Sequence, residues 1–425
     1  MRSRFAATAA CVAAMLFTHS ASAADRLTLD DAFARVGQAH PDLRLAGGQR
    51  NVLNAELDRA SFRPPLVVGA SAENVLGTGE ASGLSGAELT LTLASVLERG
   101  GKLDARRALV QSRIDSLAIQ REAKRLDLLA EVARRYLAVV SAQKQREIAD
   151  LDIAQRRRTV AGARERLNAG ASPESVVLTA EAMLARAELE RARAVQREAG
   201  ARQHLAALWG ERDPNFQVVA TNPMALPKVS GFDELTTWLA RTPEIAQFAG
   251  EQRIREARLQ LARTQATPDI DWQVGVRRLQ ATDDFGFVAS ASMPLGARTR
   301  AQPEIRVAEA ELALLEIERE SRNISLYSTL ADAHARYLSA QLEVRRLASD
   351  VIPKLGRAEA AAERAYRAGA ISYLEWAQLQ SERTNARKQQ LEAALEAQRA
   401  LIEIQRLTGQ PFVAAPAERV SGETP

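Results

Sequence analysis

The chain is almost without cysteine. Of its 425 residues only Cys11 carries a thiol, and it lies in an N-terminal stretch with the three-part pattern of a secretory signal peptide. Arg2 and Arg4 are followed by an apolar run from Phe5 to Phe17, then by Ser20-Ala21-Ser22-Ala23 before Ala24-Asp25. Cleavage after Ala23 is expected, which leaves a mature chain with neither a disulfide nor a cysteine to carry a lipid. Long hydrophobic runs are missing as well. The apolar core of the leader is too short for a membrane-spanning helix, and no later stretch offers the roughly 18 consecutive apolar residues such a helix needs. Nor is there an excess of one charge. Removing residues 1–23 takes two arginines and no acid, leaving 55 basic against 53 acidic residues, a formal +2. That near balance carries no nucleic-acid footprint, so no nucleic-acid partner is expected. The remaining histidines, His40, His204 and His334, stand far apart without ligand spacing, and there is no nucleophile elbow, phosphate loop or dinucleotide fingerprint. No resident metal, cofactor or catalytic site is expected.

What the sequence does contain is a duplication. His40-Pro41-Asp42-Leu43 is answered by Thr242-Pro243-Glu244-Ile245, and Ala133-Arg134-Arg135-Tyr136-Leu137 by His334-Ala335-Arg336-Tyr337-Leu338. Further on, Asn168-Ala169-Gly170-Ala171 is answered by Arg367-Ala368-Gly369-Ala370, and Leu208-Trp209-Gly210 by Leu407-Thr408-Gly409. The offset falls only from 202 residues at the first landmark to 199 at the last. The expected organisation is a signal peptide (1–23), a first repeat (24–210), a linker (211–230), a second repeat (231–410) and a tail (411–425). Each repeat reads as a short helix (27–39; 231–241), a proline break, a helix of about 23 residues and two strand candidates. A very long helix follows (102–168; 303–367), then a glycine break and a last helix of about 37 residues. At about 1.5 Å per residue the long helix would reach roughly 100 Å, which no ordinary globular core accommodates. Leu184, Ala187, Arg191, Ala194, Ala201, Leu205 and Leu208 fall on a heptad, matched by Ala386, Ala393, Ala400 and Leu407. The pattern suits either a close seam between helices or a generic coiled coil.

The strand candidates, about 65–76, 86–97, 269–279 and 285–295, alternate with period two. Leu89, Leu91 and Leu93 oppose Thr90, Thr92 and Ala94, while Ile270, Trp272, Val274 and Val276 oppose Asp271, Gln273, Gly275 and Arg277. Length and pattern fit a transmembrane β-barrel, although a soluble sheet lying on helices would alternate in the same way. Four strands cannot close a barrel, and open edges are not tolerated in lipid, so other copies must complete it. Two copies would give eight strands and a filled interior; three would give twelve and a lumen, which the small residues Gly69, Ser71, Gly275, Gly286, Ser290 and Ser292 would suit.

With these features the chain resembles the TolC-type outer membrane factor family over essentially its whole mature length. The resemblance rests on the duplicated helix–hairpin–helix order and on the segments "ERLNAGASPESVV" (165–177) and "YRAGAISYLEWAQ" (366–378). The segments "LASVLERGGKLDARRAL" and "MPLGARTRAQPEIRVAEAEL" after the hairpins look like the CzcC-type branch that serves heavy-metal efflux. The resemblance implies a mainly α fold with a membrane β-barrel: a homotrimer whose twelve-stranded barrel stands on an α-helical periplasmic tunnel. It implies passive conduction, with metal cations as cargo, from an inner-membrane transporter of RND type through a periplasmic adaptor to the exterior. It also implies residence in the outer membrane, in contact with its lipid. Carried over to this sequence, the adaptor-contacting tips are Gly170, Ala171 and Ser172, with Arg367, Gly369, Ala370 and Ser372. Each glycine can equally be read as a plain left-handed helix turn. Glu375, six residues after Gly369, matches the family's acid at the periplasmic aperture, where three copies would form a carboxylate ring. A solvated glutamate favoured by the helix dipole is the alternative there, and the better reading of Glu174. Drug-efflux and type I secretion ducts share this fold. A periplasmic adaptor would show one helical hairpin, and a secreted coiled-coil scaffold would need no ten-residue strands.

Overall fold

The computed structural model describes residues 25–219 and 222–412. The expected signal peptide and residues 413–425 of the expected tail lie outside them. The first described residues form a strand, β1 (Asp25–Leu27), which pairs in parallel with β4 (Phe216–Val218) in the linker. The first helix therefore begins later than expected, as α1 (Leu29–Ala39). Its start is set by a capping box: the Asp31 N–H donates to the Thr28 hydroxyl at 3.1 Å, and the Thr28 N–H donates to the Asp31 carboxylate at 2.9 Å. Pro41 opens α2 (Pro41–Ala60). The hairpin β2 (Val67–Glu73) and β3 (Glu88–Leu97) follows, then α3 (Lys102–Asn168) and α4 (Glu174–Ala206). The β2 ladder stops at Glu73 because Asn74 and Leu76 turn to φ values of +55° and +56°.

The second half repeats the order with α5 (Phe232–Leu239), α6 (Pro243–Thr264), β5 (Ile270–Leu279) and β6 (Asp284–Ser292). It continues with α7 (Ala297–Arg346), α8 (Ile352–Arg367) and α9 (Tyr373–Thr408). Here the structure corrects the expected single helix over 303–367. The helix starts at Ala297, with Pro303 inside it; burial of Ala301, Ile305 and Ala308 against Leu259 and Ala262 of α6 holds that first stretch. Between α7 and α8 the chain makes a π turn over Leu347–Val351, with the Ile352 N–H bonded to the Leu347 carbonyl five residues back. Pro353 gives the reason, since it has no N–H and its ring excludes the carbonyl four residues earlier from an ordinary helical bond. The long helix α3 has no proline and runs unbroken for 67 residues, about 100 Å.

The helices pack side by side as an open wall. The α3 helix contacts α2, α4, α6 and α9, while α7 contacts α6 and α9. The heptad alanines lie in these seams: Ala187, Ala194, Ala386, Ala393 and Ala400 are buried, whereas Arg191 turns outward to Asp150 at 2.6 Å. Equivalent cores mark the middle of each half, one built around Tyr136 and the other around Tyr337. Each tyrosine secures one end of the linker. Tyr136 donates to the Val219 carbonyl at 3.1 Å, and Tyr337 donates to the Pro227 carbonyl. Burial raises both phenols, that of Tyr337 to about 12.

The two hairpins join through β3 and β5 into one antiparallel sheet, ordered β2-β3-β5-β6. Its register separates a largely apolar face from a largely small or polar one, with Arg278 as the charged residue on the first and Val67, Val96, Leu279 and Val288 as the larger apolar residues on the second. One face carries Val68, Leu89, Leu91, Leu93, Trp272, Val274, Val276, Phe285 and Phe287; the other carries Ser71, Thr90, Thr92, Gln273, Gly275, Ser290 and Ser292. The apolar face is uncovered, with Leu91 59%, Phe285 70% and Phe287 94% exposed. On the polar face Thr92 stands between two glycines, and a Cβ at Gly275 would come within 2.5 Å of the Leu91 carbonyl. That strand crossing therefore requires glycine.

Candidate functional site

Both helical turns at the end remote from the sheet are built in the same way. After α3 the chain passes through Gly170 at φ +70°, with the Ala171 N–H bonded back to the Arg166 carbonyl at 2.9 Å. After α8 it passes through Gly369 at φ +78°, with the Ala370 N–H bonded to the Ala365 carbonyl at 2.8 Å. Left-handed backbone at both points explains the repeated Ala-Gly-Ala on conformational grounds. The helix starts that follow are not equivalent. Pro173 is the N-cap of α4 and makes no side-chain capping bond, while Ser372 caps α9 in a full capping box. Its hydroxyl accepts from the Glu375 N–H at 3.3 Å, and the Glu375 carboxylate accepts from the Ser372 N–H at 2.8 Å. These bonds, the backbone one first, hold the Glu375 carboxyl below the usual carboxylate value. Glu375 is thus an exposed, ionised group with a helix-start role. Arg367, at the end of α8, is exposed and bridged to Glu363 at 2.6 Å.

Residues of α3, α4, α8 and α9 meet in one cluster, so the structure brings the two tips together. Its centre was not among the expected site residues. The Arg166 guanidinium donates to the Tyr366 and Ala171 carbonyls, lies 4.8 Å above the Tyr366 ring, and sits 3.8 Å from where a Cβ on Gly369 would be. Tyr366 stacks on Trp376 at 5.1 Å and meets Tyr373 edge-on at 6.3 Å. Three aromatic residues within 366–376, in a chain with four tryptophans and five tyrosines, were the available signal for this second, aromatic tip.

Above the tips the seam between the halves becomes polar. Thr159 exchanges hydrogen bonds with Gln380, and Thr384 donates to Asp152 at 3.2 Å. Gln155 donates to Glu359, which also receives Arg383 at 2.7 Å. Burial, then repulsion from Arg383, lowers the Arg387 guanidinium below its ordinary value. Among the described residues no group of three or more His, Cys, Asp or Glu could hold a metal ion, and no helix is long and apolar enough to cross a membrane.

A duplicated wall of long helices ending in aligned tips, topped by a sheet with an uncovered apolar face, defines an outer-membrane channel architecture. The match to the family model described as outer membrane efflux protein, over residues 26–211 and 235–410, makes the assignment specific. The chain belongs to that family of passive channels, and its place is the outer membrane. It is 28% identical to the cobalt-zinc-cadmium resistance protein CzcC of Cupriavidus metallidurans over 281 residues, covering 66% of this chain and 67% of CzcC. It is 24% identical to the nickel and cobalt resistance protein CnrC of the same organism, covering 61% of this chain and 63% of CnrC. Among solved structures, CusC superposes with a TM-score of 0.73 at 19% identity, covering 89% of this chain and 91% of that one; this likeness shows the fold.

Proposed function

We propose that three copies of this chain form the outer-membrane duct of a tripartite metal-efflux system, conducting metal cations passively from a periplasmic adaptor and an RND-type inner-membrane transporter to the exterior. The observation that carries this reading is the sheet. Its apolar face is bare, its outer strands β2 and β6 are unpaired, and lipid accepts neither an open edge nor a polar outer face. Pairing β6 of one copy with β2 of the next supplies the missing partners, and three copies give twelve strands. The helical edges support the same assembly. Exposed apolar residues recur at heptad spacing on α7 (Val307, Leu314, Ile317, Ile324) and on α2 (Leu45, Val52), the stripes two neighbouring copies would bring together. Metal cations are favoured as cargo by the likeness to proteins named for cobalt, zinc, cadmium and nickel resistance. The repeats fill 24–210 and 231–410, with 211–230 as the equatorial linker and 411–425 as a tail.

The test is fractionation of the mature protein followed by electrophoresis with and without boiling. A heat-sensitive trimer in the outer membrane is expected; a monomer in the periplasm would overturn the duct. At the tips Gly170, Ala171, Ser172, Arg367, Gly369, Ala370 and Ser372 meet the adaptor. Gly369→Trp should abolish metal export in cells while the trimer persists, since the left-handed turn costs a side chain only about 1–2 kcal/mol and the nearest neighbour of an added Cβ, the Arg166 guanidinium at 3.8 Å, is at ordinary contact distance. Loss of the trimer along with export would reduce the glycine to a folding role. Glu375 lines the aperture as a ring of three carboxylates that favours cations. Glu375→Gln should lower cation preference in single-channel recordings, and unchanged selectivity would remove the ring from the mechanism.

A further inference from the structure

The sheet register places charged residues of three strands at the end of the polar face farthest from the helices. Glu73, Glu88 and Asp284 share the last row, and Arg277 lies in the row beneath. Arg277 does not project freely. Its Nε donates to Thr90 at 3.0 Å, its guanidinium donates to Glu88 at 2.7 Å and approaches Glu73 at 3.8 Å, and Glu88 also receives the Asn74 amide at 2.9 Å. The guanidinium is thereby laid along the wall, across β2, β3 and β5. Below this level the face is uncharged, with Thr92, Gln273, Ser290 and glycines beside Ala94 and Val288, until Asp271 as the next charge toward the helices.

We infer that Arg277 sets the charge of the outer mouth of the duct and so the ease with which cations leave it. This rests on the reading above, in which the polar face lines the lumen of a three-copy barrel. Within these two rows three acids and one arginine leave two net negative charges per copy, or six in three copies, while Asp283 in the adjoining turn is balanced by Arg278 at 2.7 Å. Conduction needs a fixed charge that draws the ion in but does not hold it. Without Arg277 the same two rows would carry nine negative charges in three copies, and cations would linger there. The effect is that of a fixed field on ions in transit, so it weakens as salt screens it.

The experiment is single-channel recording of the full-length protein in planar bilayers, with potassium chloride at unequal concentrations on the two sides. Arg277→Gln should raise the cation-to-anion permeability ratio about twofold at low salt and lower the cation conductance, both effects shrinking as salt is raised. Asp284→Asn, at an exposed position, should move the ratio the opposite way and stands in if Arg277→Gln fails to assemble. A wild-type channel whose selectivity is unmoved by Asp284→Asn, or by an assembled Arg277→Gln, overturns the inference alone. Failure of the wild-type trimer to conduct at all overturns the duct itself.

Discussion

Replacing Leu91 by arginine should keep the protein out of the outer membrane, while arginine at Ser290 should not. Both positions are exposed and both lie in the sheet, but the register puts Leu91 on the apolar face and Ser290 on the polar one. Leu91 stands near the middle of the apolar band, in the row of Ala70, Val276 and Phe287. An arginine facing lipid near the midplane costs about 2–4 kcal/mol, and a trimer would bear that cost three times. The expected result for Leu91→Arg is loss of the heat-sensitive trimer from the membrane fraction. Ser290→Arg should give a trimer of altered conductance, because its side chain enters a water-filled lumen. If both variants assemble equally well, the apolar face does not meet lipid, and a soluble sheet becomes the better description.

This pair of substitutions also marks how far the sequence speaks. Period-two alternation identifies both faces of the four strands of the larger sheet, because side-chain direction is a local property of extended chain. It does not tell which face is covered. A sheet on helices and a sheet in lipid share the same alternation, and only the bare Phe285 and Phe287 separate them. The helix α3 is legible end to end because Gly100 and Gly101 at one end and Gly170 at the other take positive φ, a local requirement that sequence records. The strands β1 and β4 are not legible. Each has three residues, and their pairing joins positions about 190 apart, so nothing local announces it. The break in α7 falls between. Pro353 is visible in the sequence, but the π turn that absorbs it depends on α8 continuing against α9 rather than ending.

At the tips the division is similar. The turns themselves can be read from Gly170 and Gly369, and the capping box from Ser372 and Glu375. Arg166 cannot be read, because its partners Tyr366 and the Gly369 turn are about 200 residues away in the other half. The likeness between repeats also hides their difference. Leu167 occupies the place that Tyr366 takes in the second repeat, so the aromatic stack and the capping box both belong to one tip only. An adaptor meeting the two tips would encounter two different surfaces on one scaffold.

Arg406→Met should be the most destabilising single change in the helical wall. Arg406 of α9 donates to Asp127 of α3 at 3.0 Å, Glu244 of α6 at 2.7 Å and Glu403 of its own helix at 2.8 Å, while Arg134 holds the other oxygen of Glu403 at 2.6 Å. The side chains of Arg406, Glu244 and Glu403 are only 15%, 15% and 18% exposed, so removing the arginine leaves carboxylates poorly compensated away from water. The expected loss is about 3 kcal/mol near pH 7, read as the fall in thermal unfolding temperature in detergent. Burial alone would raise the Glu403 carboxyl, but the hydrogen bond and charge of Arg406, with Arg134, outweigh it and leave the group below its ordinary value. A carboxyl lowered on folding contributes stability above its unfolded value, and that contribution is lost as pH falls through the folded one. The difference between wild type and Arg406→Met should therefore be full at neutral pH and shrink through the acid range, as wild type loses the contribution of Arg406 while the variant has only that of Arg134 to lose. A difference that stays constant from about pH 7 to about pH 4 would mean that the methionine acts through packing, and that the joint between the halves does not depend on this ionic network.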